Sequence, residues 1–313
     1  MNLKTLHITN GGVLTNYLKE LDVAGNILTW QEMLCEGPTT SEIDTDEFLI
    51  KRKEFLNKFY QIEVNESSYK EELHILNNLD SYQEIVLWFE YDLFCHINLL
   101  AVISLLNKKK ANLPLYLVCS GRIKGEANLK ALPELTENQL LDHYKNKVKL
   151  TEDDKELAIS LWRIYCGKDH NLFKPYITQK SSFKYLSNCL KAHLERFPNL
   201  KTGLGVLEEN ILTLIKEKNI RSKNQLMGYI MNYQGYYGYS DIQIQRLIHL
   251  LRIFYTEEDN EITLNRKGYD ALIGSYNFSR EINNNLVYGG VNRLDFSFCS
   301  ESNKLIKTSL NVN

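Results

Sequence analysis

Glu90 and Asp92 stand two positions apart at a change of pattern. Before them, residues 85–89 form an apolar run of strand length, as expected of a strand buried on both faces. After them, Phe94, Ile97, Leu100, Ala101 and Leu105 recur at helical spacing. Two carboxylates at a strand-to-helix junction occupy the place where open α/β sheets bind ligands. A second junction lies near the N-terminus. Residues 3–8 read as a strand, residues 9–12 (Thr-Asn-Gly-Gly) as a turn, and Val13, Leu14, Tyr17, Leu18 and Leu21 as a helix. If these strands are parallel neighbours, His7, Asn10, Gly11, Gly12, Glu90 and Asp92 meet at one end of the sheet.

Three chemistries suit such a cleft. In the first, a nucleotide or other phosphorylated small molecule sets its phosphate on the Gly11 and Gly12 amides, and Glu90 or Asp92 accepts from ribose hydroxyls. In the second, His7, Glu90, Asp92 and His96 gather a divalent metal. Asp92 and His96 share a helix face, and oxygen-rich ligation suits Mg²⁺ or Mn²⁺. In the third, Asp92 caps its helix, Glu90 is solvated and His7 is a satisfied core residue. The first is our working expectation, with no metal and no named cofactor. His7, Glu90 and Asp92 are the candidates for acid–base work. No nucleophile elbow, triad order, GxGxxG or P-loop is present, so turnover of the ligand is left open.

Other residues can join them. Glu36 and Gly37, in the loop Cys35-Glu-Gly-Pro38, follow a short strand at 26–30 and can face the same cleft. The strand at 113–119 ends in Ser120-Gly-Arg-Ile-Lys-Gly125, where Arg122 or Lys124 can hold an anion. Lys108-Lys-Lys110 closes the preceding helix and complements its dipole.

The elements that must position these residues follow from pattern. An α/β region with a mainly parallel sheet flanked by helices is expected over residues 1–150. Two amphipathic helices at 45–64 and 66–79 stand off its sheet. Thr136 opens a later helix with a capping box. Residues 151–200 are a helical connector, with a helix capped by Thr151 and another at 181–196 stopped by Pro198. Residues 201–275 read as a winged-helix-like unit of three helices, a strand at 262–264 and a short helix. Residues 276–313 read as a hairpin around Gly289-Gly290 and a tail whose last dozen residues are loose.

Composition bounds the function. The chain has 313 residues, 43% hydrophobic and 24% charged, with a formal net charge of −2 at pH 7. Those values suit a globular protein and argue against a surface that coats nucleic acid. Residues 201–275 carry nine Lys/Arg and nine Asp/Glu. A DNA-reading module carries a positive excess, so packing or protein contact is the better expectation there. The six cysteines show no CxxC pair or zinc-finger spacing and read as reduced thiols. With no signal peptide or bilayer-length apolar run visible, a cytoplasmic protein without membrane contact is expected. Oligomeric state is not readable.

At His7-Ile-Thr-Asn-Gly11, Cys35-Glu-Gly-Pro38 and Leu87-Trp-Phe-Glu-Tyr-Asp-Leu-Phe94 the chain resembles the bacterial DUF1835 family. The resemblance continues through Leu135-Thr-Glu, Leu194-Glu-Arg-Phe-Pro198 and Ile262-Thr-Leu-Asn-Arg-Lys-Gly268, and covers most of residues 1–275. It implies no settled activity. The family pattern often has Asn-Gly-Asp-Ser where this chain has Asn10-Gly-Gly-Val13, so a carboxylate or hydroxyl role does not carry over to positions 12 and 13. His7, Asn10, Gly11, Glu36, Gly37, Glu90 and Asp92 are the matching positions.

Overall fold

The computed structural model describes residues 4–126, 128–258 and 260–308. The chain opens with β1 (Lys4–Asn10), α1 (Gly12–Glu20), β2 (Asn26–Trp30) and the two-residue β3 (Gly37–Pro38). Helices α2 (Asp46–Tyr60) and α3 (Glu66–His74) follow, then β4 (Tyr82–Trp88), α4 (Leu93–Lys108) and β5 (Leu115–Val118). Short strands β6 (Gly121–Arg122) and β7 (Leu129–Lys130) lead to α5 (Glu137–Lys145), β8 (Val148–Lys149), α6 (Glu152–Cys166) and α7 (Leu186–Glu195).

The main sheet has the order β2-β1-β4-β5-β8. Its first four strands are parallel and β8 is antiparallel to β5. β1 lies directly beside β4, with His7 opposite Val86 and Thr9 opposite Trp88. The expected neighbourhood of the first and third strands is therefore real. Because β2 lies on one side of β1 and β4 on the other, the strand order reverses there, the position at which such sheets open a crevice. The sheet is covered on both faces, as parallel sheets require. Leu14 and Leu18 of α1 and Leu140 of α5 pack with Val86, Trp88 and Val118 on one face. On the other face α4 lies between the sheet and helices α6 and α7. Twelve of its residues are buried, which explains why its sequence is apolar on all sides.

The C-terminal part contains α8 (Val206–Glu217), α9 (Lys223–Tyr233) and α10 (Asp241–Leu250). An antiparallel pair follows, β9 (Tyr255–Glu258) with β10 (Glu261–Leu264), and then α11 (Arg266–Ile273) and α12 (Ser279–Ile282). The sequence-predicted caps are in place. Thr136, Thr151 and Ser222 accept from the backbone N–H groups of Gln139, Asp154 and Gln225.

The tail departs from the expected single hairpin. β11 (Val287–Gly289) pairs with β12 (Val291–Asn292) on one edge and, in parallel, with β3 on the other. β13 (Phe296–Cys299) pairs separately with β14 (Lys304–Lys307). The cause is a close approach at Gly289, with φ +60°, where a Cβ would lie 2.0 Å from the Tyr165 carbonyl oxygen. Glycine lets the tail lie against α6 and reach back to residues 37–38. Of the two apolar clusters, the larger gathers residues from Leu6 to Leu305 and so joins the N-terminal sheet to the tail. β14 gives order to part of the stretch expected to be loose; residues 309–313 of that stretch, and residue 3 of the first predicted strand, lie outside the described residues.

Candidate functional site

A cleft of about 880 Å³ opens at the carboxyl ends of β1 and β2. Asn10, Gly11, Gly12 and Val13 form one wall, Trp30 to Met33 the floor, and α3 and the start of α10 the rest. Gly11 precedes α1 with φ +99°, and no side chain caps this helix. Its first N–H groups therefore have no partner from a capping side chain, as an anion-accepting helix start requires. Trp30 is buried, and its indole Nε1 has no hydrogen-bond partner among the described residues. A buried N–H left unpaired costs free energy that a ligand acceptor would return. Glu63 and Glu72 also line the cleft, and Glu72 Oε2 accepts from the Thr29 N–H at 3.2 Å. Leu28, Met33, Leu56, Ile62, Val64 and Phe94 give it an apolar body. No Lys or Arg is among its lining residues.

Asn10 lines this cleft but is held from behind. Its Nδ2 donates to Cys95 Sγ at 3.0 Å, and its Oδ1 accepts from Asn98 Nδ2 at 2.8 Å. Asn98, fully buried on α4, also donates to the Glu32 carbonyl (2.6 Å) and accepts from the Leu34 N–H (3.2 Å). It sets the loop that follows β2. Sequence pattern gives no sign of this, because Asn98 lies inside an apolar helix.

Glu90 and Asp92 do not reach the cleft, a correction to the expected site. They lie with Cys95 at the start of α4, one ligand atom of each within 4.8 Å of the others. Asp92 Oδ1 accepts from the Cys95 N–H at 2.8 Å, the helix cap expected of it. The N–H groups of Leu93 and Phe94 donate to the carbonyls of Tyr236 (2.8 Å) and Tyr237 (3.2 Å). Gly238 follows so closely that a Cβ there would lie 2.1 Å from Asp92 Cγ. The loop between α9 and α10 thus closes this helix start, taking the amides a phosphate would use. Burial and then the charge of Asp92 push the Glu90 carboxyl up to about 8, and burial pushes Asp92 up to about 6. Glu90 is therefore not the solvated acid of the purely structural expectation.

The metal expectation loses two of its four ligands. His7 is elsewhere, and His96 is not among the residues whose ligand atoms gather with Glu90 and Asp92. What remains is two carboxylates, one capping a helix, and a thiol that burial holds well above its usual range. That set does not fit the oxygen-rich shell of Mg²⁺ or Mn²⁺.

His7 sits in mid-strand on the other face of the sheet, fully buried, and is not a cleft residue. Its Nδ1 accepts from Trp88 Nε1 at 3.1 Å, and its Nε2 donates to the Ala24 carbonyl at 3.2 Å. Burial lowers its pKa, so it is neutral and committed at both nitrogens.

Glu36 and Gly37 belong to a structural joint, not to the cleft. Glu36 accepts from the Tyr60 hydroxyl. The buried Arg52 donates to the Glu36 carbonyl (2.7 Å), the Met33 carbonyl (2.9 Å) and Glu32 Oε2 (3.1 Å). Gly37, with φ +88°, lies where a Cβ would meet Phe55 and Arg52 at 2.4–2.5 Å. Arg196, from the Leu-Glu-Arg-Phe-Pro segment, donates to the Cys35 carbonyl at 2.6 Å and lies 3.6 Å from the Tyr288 ring centroid. Arg122 is exposed and lines a separate pocket beyond β5. Of the predicted set, Asn10, Gly11 and Gly12 meet in the cleft; His7, Glu36, Gly37, Glu90, Asp92 and Arg122 do not. Trp30, Glu63 and Glu72 were missed. Trp30 reads as the end of a buried strand, and the two acids as solvated charges near a helix.

No family model matches the chain, and no curated protein matches it. Among solved structures, the chain is similar to the DNA-binding, cleavage and re-ligation domain of Plasmodium falciparum topoisomerase II, with a TM-score of 0.47 and 13% identity. The match covers 82% of this chain and 43% of that one, so this chain spans less than half of its length. A likeness at that level bears on neither the fold nor the function of this chain. Among the described residues, no helix is long and apolar enough to cross a membrane.

Proposed function

We propose that this protein binds a small molecule of nucleotide size in the cleft at the ends of β1 and β2. A single phosphate or comparable acceptor sits against the first N–H groups of α1 and the Trp30 indole. Sugar hydroxyls donate to Glu63 and Glu72, and the apolar lining takes a base or similar ring. The observation that carries this is Trp30, which lines a cleft of about 880 Å³ beside an uncapped helix start and whose buried Nε1 has no hydrogen-bond partner among the described residues. The absence of cationic lining argues against a polyphosphate, whose charge the carboxylates Glu63 and Glu72 would repel.

The test is a thermal-shift screen of nucleosides, mononucleotides and sugar phosphates. At a hundredfold excess over Kd, a ligand adds about 2.7 kcal/mol of stability. Trp30→Phe and Gly12→Pro should each reduce the shift. Proline is tolerated at the first helical position while removing one N–H. If every shift persists unchanged in both variants, the cleft is not the binding site.

A regulatory role for the C-terminal unit is the alternative reading. We read residues 201–275 as winged-helix-like, since an Ile220–Ile262 bridge adds a third strand position to β9 and β10. Its third helix, α10, faces inward. Arg246 lies 5.4 Å from the Phe59 ring centroid and donates to Asn284 Oδ1, and Gln243 contacts Cys35. Lys223, Arg266 and Lys267 pair with Glu257, Asp270 and Glu281. Cations engaged in this way support packing over DNA contact; a gel shift that weakens steeply with salt would reverse that preference.

A further inference from the structure

We propose that a second pocket, at the carboxyl end of β5, is an anion site that takes a phosphate or carboxylate group. It has a volume of about 200 Å³ and is lined by Cys119, Ser120, Arg122, Asn146 and Lys184 among others. Ser120 is 2% exposed, and its hydroxyl has no hydrogen-bond partner among the described residues. A hydroxyl taken out of water without a partner is costly, and an oxyanion in the pocket would accept from it.

The charge around it points the same way. Arg122 and Lys184 both line the pocket, and neither pairs with a carboxylate among the described residues. Lys184 instead lies 5.2 Å from the Tyr185 ring centroid, and the Arg122 backbone N–H donates to the Tyr185 hydroxyl at 2.9 Å. Tyr185 therefore holds the chain of one cation and the side chain of the other. The one lining carboxylate, Asp142, accepts from Asn146 Nδ2 at 3.0 Å. Among the lining residues two cations stand against one carboxylate, with Glu90 and Asp92 close enough to act on the lining Cys119. The lining is the opposite of the acid-lined cleft at β1 and β2, so the two sites differ in the charge they accept.

Inorganic phosphate and acetate are the probes, titrated into the full chain and followed by amide chemical shifts and calorimetry. Phosphate should move the amides of residues 119–122 and 184–185. Ser120→Ala should weaken it about tenfold or more, since a hydrogen bond to a charged group is lost. The same variant without an anion should keep or raise Tm, because it removes an unpaired buried hydroxyl. The double variant Arg122→Gln, Lys184→Gln should abolish the titration. Acetate binding as well as phosphate would assign a general oxyanion site, and phosphate alone a phosphate site. The inference fails if neither probe moves these amides, or if both variants bind like the wild type. It also fails if phosphate binding is lost in Trp30→Phe but kept in Ser120→Ala; that outcome places the anion in the β1–β2 cleft and leaves the proposed function standing.

Discussion

The indole Nε1 of Trp88 donates to Nδ1 of His7 at 3.1 Å, across neighbouring parallel strands. That bond fixes the imidazole as a neutral acceptor. It places the histidine nearest to the glycine turn in the core and out of any chemistry at the sheet end.

His7→Ala is expected to cost about 1–3 kcal/mol or more, because it strands the buried Trp88 N–H and leaves a cavity. The pH sign follows from the lowered pKa. The folded state prefers neutral His7, so its stabilisation is present above pH 6.5 and declines as pH falls below it. Urea denaturation of wild type and variant at pH 7.5 and 5.5 checks both. Ligand affinity in the proposed cleft should not change.

Glu90 and Asp92 run the other way. Their folded-state pKa values are raised, so the contribution is fullest below pH 3.8 and is lost as pH rises through about 6 and then about 8. The groups facing them are acids and thiols, namely Glu134, Cys95 and Cys119, with Lys184 opposing at Cys119. Glu90→Gln should therefore raise Tm at pH 8, leave it nearly unchanged at pH 4.5, and flatten the profile between them. A Tm that falls at pH 8 would show that the ionised carboxylate is being stabilised by something else.

Gly238→Ala should disrupt the start of α4. The residue has φ +65°, and the added Cβ would overlap the Asp92 carboxylate at 2.1–2.5 Å. A loss of more than the 0.5–2 kcal/mol of an ordinary helix cap is expected, since backbone strain adds to it. Asp92→Asn, which keeps the oxygen that accepts from Cys95 and drops the buried charge, should be tolerated. Thermal denaturation of the two variants side by side separates shape from charge.

What the sequence discloses and what it hides follow from range. Residues 85–89 and 93–108 announce a buried strand and helix because each apolar run meets its partners on all sides. Thr136, Thr151 and Ser222 announce helix starts because a cap acts within three residues. The fate of Glu90 and Asp92 was hidden, because the group that closes over them, Tyr236 to Gly238, lies far along the chain. The pairing of β11 with β3 was hidden for the same reason. Trp30 was hidden differently. An indole at a strand end looks like core, and nothing in a sequence marks an N–H as unpartnered.

The joint between the tail and α8 carries a buried ion pair. Arg293 Nη2 donates to Glu208 Oε2 at 2.7 Å, and both side chains are nearly inaccessible. Asn284 Nδ2 donates to Glu208 Oε1 at 3.0 Å. Glu208→Ala leaves Arg293 charged and unpaired and should cost about 3–5 kcal/mol. Because the larger core joins residues from Leu6 to Leu305, that loss should lower a single unfolding transition and leave no separate N-terminal one. Calorimetry reads this directly.

The proposed binding site rests on the Trp30 indole, and the chain has only three tryptophans. Trp88 Nε1 is bonded to His7 and Trp162 Nε1 to the Ser41 carbonyl, whereas Trp30 Nε1 has no partner among the described residues. A ¹H–¹⁵N spectrum therefore carries three indole signals, assignable by single Trp→Phe variants. On titration with whichever mononucleotide or sugar phosphate gives the largest thermal shift, the Trp30 signal alone should move downfield as its N–H gains an acceptor. A saturating titration that leaves the Trp30 signal in place would contradict the account.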